Sequence, residues 1–306
     1  AQHIMNELKK NHYTVLDLEP APPGLPDELH TKYGYSMYSA RYGNIYSARQ
    51  LHQLAKECLG SHQPKGYIWR KNGKFYDGLR PSVEPDGLDS KQQVIEHRQF
   101  HIEQVREMFK SLDIFIFTLG LTESWMHRSS GTLFPIAPGT QAGRFNPRKH
   151  KFYNANFKQI KNDMNQFLSI TNEIRGGKPF KMLLTVSPVP LTATASDAHV
   201  LVATMQSKAL LRSAAAELCS RNLNIDYFPS YEIVNNPRLN SLSFADNLRT
   251  IRPEIVATVM RHFFKATGAE YKKQSLPIAT PSLDSSKIED VQCEEALLDA
   301  FDSNRR

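Results

Sequence analysis

Apolar positions along this chain follow two rhythms, and the clearest is the unbroken run Ile114 to Thr118, aromatic or β-branched at every step. Such a run predicts a short strand buried on both faces of a sheet. Phe180 to Val186 and Ile225 to Phe228 predict two more strands of the same kind. Between them the spacing changes to the helical period. Ser90 to Leu112 predicts a long amphipathic helix, with Val94, Phe100, Val105, Met108 and Phe109 towards the core and Glu96, Arg98, Glu103 and Arg106 towards water. Asn156 to Arg175 predicts another, ended by Gly176-Gly177. A third carries the stripe Val200, Ala203, Leu210, Leu211, Ala214 and Leu218, capped by Asp197 or a neighbour. Helix and buried strand in alternation predict an α/β fold with a mostly parallel sheet covered by helices on both faces. In it the three apolar runs are adjacent parallel strands.

The remaining pattern is more local. Gln2 to Asn11 and Ser47 to Leu59 predict helices, and so does Pro253 to Ala266, where proline sits at a helix start that lacks partners anyway. Tyr13 to Leu18 alternates as a strand does, and the prolines at 20, 22, 23 and 26 then impose an extended loop. Tyr67 to Tyr76 predicts a hairpin turning on Asn72-Gly73. Thr132 to Asn156, rich in Gly, Pro and Asn, reads as a long binding loop or lid. After Gly268 the chain turns polar and serine-rich. Residues 1–268 are therefore read as one α/β domain and 269–306 as a tail with a late acidic helical stretch, Glu294 to Phe301.

Composition narrows the function classes. A chain of 306 residues with 40% hydrophobic content can bury a sizeable core. No apolar run approaches the roughly 18 to 20 residues of a membrane span, and no signal pattern opens the chain, which predicts a soluble, cytoplasmic protein. Cys58, Cys219 and Cys293 are too few and too scattered for a disulfide framework or a thiolate metal site, so no metal or cofactor is expected. The net charge of +7 is spread out and accompanies no recognition motif, which argues against a nucleic-acid partner.

Candidate chemistry gathers where strands end. Gly120, Thr122 and Glu123 follow the first apolar run at the carboxyl edge of the predicted sheet, the usual place for a site; the other reading is a turn followed by a helix opened by Glu123. Ser187-Pro188-Val189-Pro190 stops the second run at the same edge. Gly43 and Asn44 either present amides to a ligand or make a plain turn before a helix. His199 is either a base in the crevice or a cap of its own helix. His127, Arg144, Arg148 and His150 lie in or beside the long loop, as an anionic substrate's path or as solvated charge.

Seven segments carry a resemblance: AQHI at Ala1, LDLEPAP at Leu16, SARYGNIYSARQL at Ser39, FTLGLTESW at Phe117, LTVSPVPLTAT at Leu184, HVLVAT with SKALLR from His199 to Arg212, and YFPSYEIV at Tyr227. In this order they resemble the GSCFA-domain family, a branch of the SGNH/GDSL-like esterase fold, in the version associated with bacterial polysaccharide loci. The resemblance implies a three-layer α/β sandwich that hydrolyses or transfers acyl esters on an acylated polysaccharide or precursor through a serine. The family's name motif ends in an alanine that looks like Ala1, which puts the serine and the first strand upstream. Gly120-Leu121-Thr122-Glu123 is similar to the fold's Gly-x-Asn-Asp block, and Gly43 looks like its oxyanion-binding glycine. Asp246-Asn247-Leu248-Arg249 is similar to the late Asp-x-x-His block, with Arg249 in the histidine's place. Arginine cannot act as a base at neutral pH. The catalytic set implied is then His199 as base, oriented by Glu123 or Asp246, with Gly43, Asn44, Gly120, Thr122, Arg148 and Arg249 binding substrate. The alternative is a glycan-binding or assembly module without chemistry. No oligomeric state follows from the sequence.

Overall fold

The computed structural model describes residues 2–238 and 240–268. In chain order the elements are α1 (Gln2–Lys10), α2 (Asp27–Lys32), α3 (Ala48–Leu59), β1 (Ile68–Lys71), β2 (Lys74–Asp77) and α4 (Lys91–Ser111). Then come β3 (Ile114–Leu119), β4 (Glu123–His127), β5 (Leu133–Phe134), β6 (His150–Asn154), α5 (Phe157–Ile174), β7 (Lys181–Val186) and α6 (Val200–Arg221). The last are β8 (Ile225–Tyr227), α7 (Ser230–Val234), α8 (Asn240–Ser243) and α9 (Pro253–Ala266). The tail, its helical stretch at Glu294 to Phe301 and Cys293 lie outside the described residues.

The strands form three sheets. β3, β7 and β8 pair in parallel in that order, so the three apolar runs are indeed neighbours, with Ile116 opposite Leu183 and Leu184 opposite Tyr227. β5, β4 and β6 form an antiparallel sheet, and β1 and β2 an antiparallel hairpin. Five of the eight described strands are thus antiparallel, which overturns the expectation of a mostly parallel, SGNH-hydrolase-like three-layer sandwich. The physical reason is the length of the links. Helices α5 and α6 separate β3, β7 and β8 by the dozen or more residues that a parallel crossover needs, whereas β1–β2 and β4–β5–β6 are joined without helices and fold back on themselves.

Local chemistry explains most elements. Ser47, Ser90 and Asn156 each cap a helix in a reciprocal capping box with Gln50, Gln93 and Gln159. The hairpin turns on Asn72 and Gly73, both at positive φ (49° and 81°), as a type I′ turn requires. Around the parallel sheet, α3, α4, α5 and α6 bury a core with Phe109, Phe167, Leu184 and Leu211 at its centre. On the other face α1, α7 and α9 bury a smaller one through Ile4, Val234, Met260 and Phe264.

Other expectations need correction. Tyr13 to Leu18 is extended but pairs with no strand among the described residues; Leu18 N donates to Ser39 O at 2.9 Å, and Tyr13 N to Leu8 O at 3.0 Å. Phe100 points to water, 53% exposed, while Arg98 is buried because Glu57 and Asp77 neutralise it. The long loop contains β5 and β6, and Glu123 opens a strand, not a helix.

Candidate functional site

A cavity of about 2170 Å³ opens at the carboxyl ends of the parallel strands and runs along the outer edge of β3. Gly43, Asn44, Tyr46, Gly120, Ser187 and Arg249 all line it, so segments from four parts of the chain meet there. The turn after β3 is fixed from three sides. Tyr46 O accepts from both Gly120 N (2.8 Å) and Leu121 N (3.1 Å), Lys208 Nζ donates to Gly120 O (2.8 Å), and Thr122 N donates to Ser207 Oγ (3.2 Å). Gly120 has little room for a side chain, since a Cβ would meet Tyr46 O at 3.2 Å. Its amide is already used, so it is not a spare donor for an oxyanion.

Gly43 is required on two counts. Its φ is 64°, and a Cβ would stand 2.9 Å from the Arg80 Cβ. Asn44 accepts from Gln50 Nε2 through its carbonyl at 3.2 Å. Arg249 comes from a small turn closed by the Phe244–Ile251 bridge, in which Asn247 Oδ1 accepts from Arg249 N and Thr250 N at 3.0 and 2.9 Å. Leu248, at φ 56°, holds the strained corner of that turn.

The other candidates are elsewhere. Thr122 is buried behind the turn. Glu123 accepts from Thr194 Oγ1 at 2.8 Å, and burial raises its pKa against the pull of Thr194 and the Ala195 amide. His199 is exposed and caps α6, its Nδ1 accepting from Leu201 N at 3.2 Å. No hydrogen bond joins it to Glu123 among the described residues. Asp246 is in solvent, 3.4 Å from Arg252 Nη2. Arg148 and Arg144 are exposed beside the antiparallel sheet; there His150 Nδ1 accepts from Asn146 N, and His127 bonds Ser130 Oγ at 2.8 Å. Of the residues proposed from sequence, Gly43, Asn44, Gly120 and Arg249 therefore share one cavity, while Thr122, Glu123, His199, Asp246 and Arg148 do not line it.

The match to known families fits these segments. A family model described as GSCFA family matches residues 1–263. The chain belongs to the GSCFA family. No curated protein and no solved structure matches it. The esterase-fold vocabulary attached to the resemblance, SGNH, GDSL, esterase and acyltransferase, does not survive the topology, because the antiparallel sheets outnumber the parallel one.

In this GSCFA chain the sequence reading missed Ser207 and Lys208, which hold the turn although both are buried to 1% exposure. A signal existed: Ser207 stands four residues from both Ala203 and Leu211, a polar position inside the apolar stripe of α6. Among the described residues no group of three His, Cys, Asp or Glu side chains could hold a metal ion, and no helix is long and apolar enough to cross a membrane.

Proposed function

We propose that this GSCFA chain is a glycan-binding module whose ligand, an acylated polysaccharide or its precursor, enters the cavity at the carboxyl ends of β3 and β7. One observation carries the reading: hydroxyl, amide and guanidinium groups of Asn44, Thr118, Ser187, Asn247 and Arg249 line a single cavity beside the rings of Tyr38, Tyr42 and Tyr46. Hydroxylated rings are held by that mixture, a few placed polar groups and an aromatic surface. Among the described residues, no hydrogen-bonded chain runs from a Ser or Thr hydroxyl through a histidine to a carboxylate, and binding needs none. The reading includes a cytoplasmic location, in keeping with the free thiols Cys58 and Cys219.

The test is calorimetric titration with neutral and O-acetylated oligosaccharides. Binding of the acetylated ligand is expected, weakened about tenfold or more by Asn44→Ala or Arg249→Ala, each equivalent to roughly 1.4 kcal/mol. Equal, undetectable heats for all sugars would end the proposal. So would turnover of an aryl ester well above buffer that a serine-directed phosphonate abolishes.

A further inference from the structure

Helix α6 is enclosed on one side and bare on the other. Its inner positions, Ala203, Ser207, Leu211, Ala214 and Leu218, are buried. Its outer positions carry no charge: between Leu201 and Ser220 every exposed side chain is apolar, small or, at Gln206, an amide. A surface helix ordinarily turns charged residues to that side. Leu201, Val202 and Met205 are 66%, 58% and 64% exposed, so three large apolar side chains meet water within two turns.

The outer stripe is ordered by size. Its large side chains occupy the amino-terminal half, and Ala209, Ser213, Ala216 and Ser220 the carboxyl-terminal half. From Val202 onward the stripe advances by steps of three and four residues, the spacing of a seam between two helices. Its margins are already neutralised: Arg212 is paired with Glu232, and Glu217 with Lys161 and Arg221. Asp197, exposed just ahead of the helix, has no ion-pair partner among the described residues.

We propose that this face of α6 is the contact between two copies of the chain, with the two helices antiparallel across a two-fold axis at Ala209. The size gradient fits that arrangement. It sets Met205 against Ser213 of the second copy and Val202 against Ala216, large into small in each layer, and brings Ala209 against its own counterpart, where only methyl groups keep the backbones apart. It also sets Asp197 beside the opposite charge of Arg221 at both ends. Parallel helices would meet large against large at one end and leave a gap at the other. A membrane surface would call for basic residues along the margins, and those present are neutralised by acids. With 22 residues the helix is about 33 Å long and 10 to 12 Å wide, so the two stripes cover on the order of 800 Å² and the loops ahead of α6 add to it; near roughly 1,000 Å² a reversible dimer is expected. The pairing is independent of what the cavity binds.

Sedimentation equilibrium of residues 1–306 between about 1 and 200 μM tests it, with the 34.8 kDa monomer giving way to twice that mass as concentration rises. Ala209→Lys should raise the dissociation constant roughly 100-fold, because it brings two like charges together at the axis. Asp197→Arg should weaken the dimer about tenfold through its two symmetric pairs, and adding Arg221→Asp should restore it. All three positions are exposed, and circular dichroism of each variant checks that the monomer is folded. In a Cys219→Ser, Cys293→Ser background, Ala209→Cys should cross-link to itself under mild oxidation, whereas Ser220→Cys should not. A monomer throughout the range, a dimer indifferent to Ala209→Lys, or equal cross-linking at both positions overturns the proposal; the first of these would give the face to a different partner.

Discussion

Two polar regions flank the core of α3 and α4, and they are built on opposite terms. Beneath the proline-rich loop, Glu19, Arg80, Asp77, Arg98 and Glu57 form a chain of charges, joined by the neutral imidazole of His101, in which each member has partners: His101 Nδ1 donates to Glu19 at 2.6 Å, Arg80 Nε to Asp77 at 3.0 Å, and Arg98 Nε to Glu57 at 2.7 Å. At the carboxyl ends of β3 and β7, in contrast, polar groups face a large open volume. The Thr118 hydroxyl, buried there, has no hydrogen-bond partner among the described residues. Buried charge is tolerated only when it is paired, so the first region is committed to holding the loop against α4. The second keeps the Thr118 hydroxyl unspent among the described residues, and that group marks it as the place for a ligand.

The comparison breaks first at its paired end. Arg98→Ala would strand Glu57 in the interior and leave Asp77 to Arg80 alone, and a loss of about 3 to 5 kcal/mol is expected in urea unfolding. A change within about 1 kcal/mol would mean that water reaches the network.

Acid attacks the same region. Burial, reinforced by the Arg80 charge, pushes His101 down to about 4 from an ordinary 6.5. Burial alone would raise Glu19, but the His101 bond and the nearby charges hold it at about 2 against an ordinary 4.5. Both folded-state values are depressed, so the unfolded chain takes up protons first as pH falls. Stability should be intact above about pH 6.5 and fall between 6.5 and 4 by on the order of 3 kcal/mol through His101, with a further loss from 4.5 towards 2 through Glu19. Unfolding midpoints across that range, compared with those of His101→Gln, give the measurement; identical slopes would exclude His101.

A smaller contrast separates the two kinds of apolar wall. Leu211 is fully enclosed, whereas Leu54 lines the cavity. Leu211→Ala should cost about 3 to 4 kcal/mol and Leu54→Ala about 2, because a side chain already beside open space gives up fewer contacts. Equal costs would show that Leu54 is packed as tightly as Leu211. The least effect belongs to His199→Ala, about 1 kcal/mol from the lost cap of α6. Glycan affinity should be unchanged, and a tenfold loss would return His199 to the site.

What was legible in the sequence was local. Asn72-Gly73 named its hairpin, helical periodicity named the helices that begin after Ser47, Ser90 and Asn156, and the three apolar runs named the parallel sheet. What was not legible depended on distant partners. Met126 needs Leu133 and Lys151 across the sheet before β4 can be recognised as a central strand, and those lie in a stretch dominated by turn residues. Arg98 reads as a surface charge until Glu57 and Asp77, 41 and 21 residues away, are known to face it. Gly43 and Arg249 were picked for their chemistry and line one cavity; Glu123 and His199 were picked by the same logic, yet they bond locally to Thr194 and Leu201 and do not line it.

Lys208 gives the fold a property of another kind. Its ammonium group is sealed within the protein, 1% exposed and bonded to Gly120 O, while most other lysines described here are at least partly open to water. Amine-reactive reagents should therefore modify Lys208 last, at a rate set by how often α6 and the turn after β3 separate. The chain thus carries an internal clock for the opening of its own crevice, readable by mass spectrometry without any added label at the site.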